Sequence, residues 1–201
     1  MKMSQESKTR MYDLENRLYS MRGQIYRTEI ATIFNSTLKD EFEKANLKPV
    51  FVGQYFIDPK DNEKVRVLCH QGTDACSPIP TERGGVIWRA IRTGVDQYVK
   101  DVTKDREHVG CDPNMQGSEL VLLSWSDPYK NIELGGHSVP LGVLDIDLNI
   151  KDALSMEEIE RLRKLWDVYG KKVFPGEPEF LPGKFISISK YIQVSHRINV
   201  A

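Results

Sequence analysis

No apolar run in the chain approaches the roughly 20 residues that a bilayer-spanning helix requires. Its opening, MKMSQESKTRMYDLENR, is polar, with no apolar stretch behind it. Neither a membrane span nor a secretory leader is expected, and the predicted location is cytoplasmic. Cysteine is scarce: Cys69, Cys76 and Cys111 are the three in 201 residues. An odd number in a reducing compartment predicts free thiols rather than a disulfide framework. Charge is nearly balanced at a formal net of −1, so no bulk attraction to nucleic acid or anionic membrane is implied. There is no Walker loop, no H-E-x-x-H and no G-x-S-x-G. The four histidines, His70, His108, His137 and His196, have no repeating spacing. Cys69 and Cys76 lack both the C-x-x-C spacing and the second pair of a zinc site. No metal, no cofactor and no internal repeat are expected.

What is present reads as an α+β domain. Met11, Leu14, Leu18, Met21 and Ile25 alternate at spacings of three and four, an a/d stripe on a helix. After Ile25 the register slips, and Ile30, Ile33, Phe34, Leu38 and Phe42 continue at helical spacing. One reading is a long helix whose start pairs with a second copy of the chain and whose end packs on its own domain. The other is a single amphipathic helix lying on one monomer's sheet. PVFVGQYFID (49–58) reads as a strand, and EKVRVLCH (63–70) as its hairpin partner, with Val65, Val67 and Cys69 on one face. GVIWRAIRTG (85–94) is a short helix that Gly94 can cap. VDQYVKDV (95–102), SELVLLSW (118–125) and PLGVLDIDLN (140–149) are further strands, and 126–139 is a hairpin loop with an insertion. Ser155 and Glu158 form an S-x-x-E capping box ahead of Ile159, Leu162, Leu165, Trp166 and Tyr169, with Gly170 able to end that helix or its last turn. The alternation in 185–200 reads as a strand or hairpin. Short connections favour an antiparallel sheet with helices packed on it. The expected division is residues 1–45 as a helical segment, 46–173 as the main domain and 174–201 as linker and strand-like extension.

TKDREHVGCDPNMQG (103–117) is a long polar loop, and such loops tend to be functional. It carries Cys111 and Asp112 to the head of a strand that opens with Ser118 and Glu119. Asp145 and Asp147 are two residues apart and share one strand face. That face meets either solvent or a polar pocket, because carboxylates are seldom buried unpaired. Ser118 and Glu119 can equally be strand-head residues bonded to the turn. Tyr55 and Trp88 can stack on a ligand or fill core, while Trp125 and Trp166 are assigned to core. Carboxylates near Cys111 disfavour a thiolate, a penalty that helix amides or a nearby cation must offset. Arg106 and His108 are close in sequence.

The phrases GGVIWRAIRTGVDQYVKDVTKD, CDPNMQGSELVL, PLGVLDIDLN and LSMEEIERLRKLW, in that order, resemble a GAF domain over about residues 49–173. The resemblance implies a central antiparallel sheet covered by helices, with a small-molecule pocket on one face. A narrower likeness is to free methionine-(R)-sulfoxide reductases, which are stand-alone GAF proteins. Cys111-Asp112, Ser118-Glu119 and Leu144-Asp145-Ile146-Asp147 match their catalytic cysteine and following strands. FVGQYF is similar to their aromatic pocket strand, and Cys69 lies near the place of a resolving thiol. Where those enzymes usually keep a further cysteine, GGVIW has Ile87.

Three functions follow as expectations. The first is a sensory GAF protein that binds a small polar ligand through Tyr55, Trp88, Asp112, Ser118, Glu119, Asp145 and Asp147, roofed by residues 103–118. It would signal through a homodimer or an unidentified partner. The second is a thiol-dependent reductase with Cys111 as nucleophile and a Cys69–Cys111 redox pair. The third is a dimerisation module that binds no ligand.

Overall fold

The computed structural model describes residues 5–58, 60–112, 115–126, 138–174 and 198–200, with side chains from residue 25 onward. The side chains of the Met11–Met21 stripe, loop residues 127–137 and the tail from 175 to 197 lie outside the described residues.

Helix α1 runs Gln5–Lys44. Strands β1 (Pro49–Ile57) and β2 (Lys64–Gly72) form a hairpin, followed by the short β3 (Ile79–Pro80) and helix α2 (Val86–Thr93). Strands β4 (Asp96–Val99), β5 (Ser118–Trp125) and β6 (Pro140–Leu148) lead to α3 (Met156–Val173), and β7 (Ile198–Val200) closes the chain. The spatial order is β3-β2-β1-β6-β5-β4-β7. Every pairing is antiparallel except β4 with β7, which is parallel. The expected purely antiparallel sheet is thus mixed at one edge, because β7 adds to β4 along its own direction.

Alternation along the strands sorts the core into two layers. On one face Val52, Leu120, Leu122, Leu144, Ile146 and Leu148 pack under α1 and α3. On the other, Phe51, Tyr55, Val121, Leu123 and Val143 pack under α2. The buried stripe of α1 is Ala31, Phe34, Asn35, Leu38 and Phe42. Ile33, placed in that stripe by its spacing, points outward at 68% exposure. Asn35 sits in this stripe because it exchanges hydrogen bonds with the buried side chain of Gln54 on β1.

Helix ends follow local chemistry. Gly94 takes a left-handed conformation (φ 67°) and donates its N–H to Ala90 O at 2.8 Å, closing α2. Ser155 and Glu158 form the reciprocal capping box at the start of α3. Gly170 does not end α3, which continues to Val173 and caps at Phe174. Arg163 on α3 reaches Asp96 on β4 at 3.1 Å and donates to Leu123 O at 2.8 Å, fastening the helix across the sheet.

Candidate functional site

The second sheet face is where the acids gather. Because Asp145 and Asp147 are two apart on β6, both project from the side opposite Leu144, Ile146 and Leu148. Glu119 on β5 stands directly across from Asp147 in register. Carboxylate oxygens of Glu119, Asp145 and Asp147 all come within 4.8 Å of one another. They form one wall of a cavity of about 40 Å³, room for roughly three waters. Phe51 and Tyr55 of β1 line it from the sheet, Ile87 from the start of α2, and His108, Cys111, Asp112 and Met115 from above.

Electrostatics here are unbalanced. Asp145 is 6% exposed, and its Oδ1 has no hydrogen-bond partner among the described residues; the Oδ1 of Asp147 is in the same state. Burial raises the pKa of Asp145 well above the usual carboxylate range, and the charges of Asp147 and Glu119 push it further. Asp147 is raised likewise by burial, then by Glu119 and Asp112. Burial beside these acids also pushes up the Tyr55 phenol. Glu119 is compensated: its Oε2 lies 2.9 Å from His108 Nδ1. That bond raises the imidazole pKa, against the opposing effect of burial. Two buried acids in this state are relieved either by taking up a proton or by a cation held between them.

The roof is tied down at three points. Arg89 on α2 makes a two-pronged bond to Asp105, at 3.1 and 2.6 Å, which holds the Asp105 pKa below its ordinary value. His108 ties the roof to Glu119. The third tie is a disulfide between Cys76 and Cys111, whose Cα atoms are 5.6 Å apart, within the normal span of such bonds. Cys111 lines the cavity and is exposed, whereas Cys76 packs at the edge of the layer beneath α2.

This arrangement corrects four expectations. Cys111 and Cys76 are not free thiols, and the partner of Cys111 is Cys76 rather than Cys69. The reason lies in β2: Gln54 and Tyr55 of β1 pair with Cys69 and Val67, so Leu68 is an extra residue. A bulge of this kind breaks the alternation. Val67 stays with the α2 layer, while Cys69 packs with the α1 layer, 3.1 Å from Thr32 Oγ1. Trp88 is not at the cavity but 2% exposed, its indole donating to Ile79 O at 3.1 Å. Ser118 is also away from it, donating to Ile150 O at 2.8 Å. Tyr55, Asp112, Glu119, Asp145, Asp147 and Cys111 do border the same space. Cys76 gained no site role from sequence alone, and His108 entered only as a cation close in sequence to Cys111.

No family model matches the chain. Among solved structures it is similar to one described as the structure of the GAF domain, at TM-score 0.61 and 25% identity, covering 71% of this chain and 74% of that one. This is a GAF fold. A second GAF-fold likeness is to the free methionine-R-sulfoxide reductase from Neisseria meningitidis in complex with its substrate, at TM-score 0.59 and 25% identity, covering 73% of this chain and 77% of that one. Among curated sequences, Protein ZMO0507 of Zymomonas mobilis is 34% identical over 101 residues, 50% of this chain and 56% of that protein. The match thus spans little more than half the length of that relative. Within the GAF fold, no helix among the described residues is long and apolar enough to cross a membrane.

Proposed function

We propose that the protein reduces free methionine-(R)-sulfoxide, with Cys111 as nucleophile and Cys76 as resolving thiol. One observation carries this reading: a disulfide on the rim of a cavity whose wall holds two buried carboxylates, each with one oxygen lacking a hydrogen-bond partner among the described residues. Asp145 and Asp147 would seat the ammonium group of a free amino acid. The cytoplasmic setting expected from the sequence adds support, since cytoplasmic disulfides are usually transient and catalytic.

In the first step the Cys111 thiolate attacks the sulfoxide sulfur. The sulfur–oxygen bond breaks, the oxygen passes to Cys111 with one proton, and methionine leaves behind a Cys111 sulfenic acid. The Cys76 thiol then attacks the sulfenic sulfur, a sulfur–sulfur bond forms and water departs. A dithiol reductant returns both cysteines to thiols. The substrate enters the dithiol state, since the reaction begins from the Cys111 thiolate. The likeness to the Neisseria reductase supports this chemistry.

Turnover with dithiothreitol tests it. Free methionine should accumulate from the R but not the S epimer, and both Cys111→Ser and Cys76→Ser should abolish multiple turnover. Undiminished turnover in Cys111→Ser would overturn the reading.

A second reading is a sensor that binds the same class of ligand without reducing it. Gln54 is bonded to Asn35 of α1 and adjoins Tyr55 of the cavity. Ligand contact at Tyr55 is therefore one residue from the helix that would pair with a second copy. That reading expects ligand-induced stabilisation of about 2.7 kcal/mol at a hundredfold excess over Kd, unchanged in Cys111→Ser and without loss of ligand.

A further inference from the structure

The acids that suit a ligand ammonium are poor company for a thiolate. Like charges raise a thiol pKa, and a nucleophilic cysteine needs a compensating cation. Two basic side chains precede Cys111 closely. Arg106 is exposed and turned to an outer groove with Lys104 and Arg89. His108 instead lines the cavity beside Cys111, 14% exposed, with Glu119 fixing its Nδ1. Its other nitrogen, Nε2, would lie 3.4 Å from a Cβ built on Gly110, the residue next to Cys111. The ring is therefore oriented with one edge on Glu119 and the other toward the backbone that carries the reactive sulfur.

We propose that His108 is the acid–base partner of Cys111, holding it as a thiolate and giving up the proton that the departing sulfoxide oxygen requires. The assignment rests on the reductase reading for its second half only. The balance is simple: imidazolium, thiolate and sulfoxide become imidazole, sulfenic acid and thioether. Glu119 is the positioning residue, since its bond at Nδ1 fixes the ring and leaves Nε2, on the Gly110 side, as the nitrogen that exchanges a proton. The charged groups around the imidazole are Glu119 on β5, Asp145 and Asp147 on β6, and Asp105 and Asp112 on the roof. Arg89 on α2 neutralises Asp105. Glu119 bonds His108 directly and sustains its cationic form.

The decisive experiment is the pH dependence of iodoacetamide alkylation at Cys111, in reduced full-length protein whose other cysteines are serine. His108→Gln and His108→Asn are compared with that parent, and melting curves establish folding. The parent should alkylate with an inflection below the ordinary thiol pKa of about 8.5. Both substitutions should move the inflection upward and slow the reaction at pH 7 about tenfold. Glu119→Gln should give a smaller upward move. In protein with all cysteines, His108→Gln should lower kcat about 100-fold, leave KM within about threefold and remove the alkaline fall of the pH profile. An unchanged alkylation profile in either folded His108 variant overturns the assignment, whatever the turnover. A His108-dependent profile in a protein that never produces methionine sinks the reductase reading and the proton-delivery half with it, while the thiolate half stands.

Discussion

Replacing Asp145 by asparagine should make the protein more stable while disabling its site. The carboxylate is almost fully buried, one of its oxygens has no partner among the described residues, and Asp147 and Glu119 stand beside it. A buried polar group left unsatisfied costs about 1–3 kcal/mol when neutral and more when charged, so the charge adds a penalty of that order. Asparagine keeps the shape and removes the charge. At roughly 2–4 °C per kcal/mol for a chain of this size, the melting temperature should rise by about 2–12 °C. The pH dependence fixes the cause. A carboxylate whose folded pKa is raised costs the fold stability progressively as pH rises from the unfolded value of about 3.9 to the folded one, and the cost is constant above that. The gap between Asp145→Asn and wild type should therefore be smallest near pH 4 and widen toward pH 9, levelling off above the raised folded value. Melting curves of reduced protein across that range measure it. A lower melting temperature for the variant, or a gap independent of pH, would refute the reasoning. The variant should also lose the capacity to bind an amino acid through its ammonium group, the usual exchange of function for stability.

Other outcomes follow from the same contacts. Replacing His108 by alanine removes a bond to Glu119 that raises the imidazole pKa. That contribution is fully present below the unfolded imidazole value near 6.5 and is lost as pH rises through the higher folded value. Urea midpoints of variant and wild type should thus differ at pH 6 and converge above pH 9. Arg163→Met strands the buried Asp96 carboxylate and should cost about 3–5 kcal/mol in urea unfolding; a loss under 1 kcal/mol would contradict the fastening role given to that pair. Gly117→Ala would place a Cβ 1.7 Å from the Leu148 carbonyl oxygen, so it should lower stability by about 3 kcal/mol or yield insoluble protein. Ser155→Ala removes the cap of α3 and should cost about 1 kcal/mol by the same assay.

The strands and helices were legible because their signals are local. Alternation placed Asp145 and Asp147 on one face of β6, a capping box opened α3, and a glycine closed α2. The misreadings have a common origin in contacts between distant segments. Strict alternation along β2 put Cys69 beside Val67, and only pairing with β1 reveals the extra residue that turns it to the other layer. Ile33 fits the helical stripe, yet α1 turns Asn35 inward because Gln54 waits on the sheet. Cys76 and Cys111 are 35 residues apart in sequence, and nothing local to either names the other. The parallel seat of β7 on β4 is equally invisible, since edge pairing is set by where the chain returns.

On the proposed function, Cys76 and Cys111 exchange two electrons with a small sulfoxide held by the acid wall. Its most direct test is one turnover without added reductant. Prereduced protein is mixed with free methionine-(R)-sulfoxide, quenched with an alkylating agent and mapped by peptide mass spectrometry. The account predicts one methionine released per chain and the Cys76–Cys111 bond re-formed, with Cys69 alkylated. Sulfoxide left intact with all three cysteines alkylated, or methionine released with Cys69 in the new bond, would contradict it.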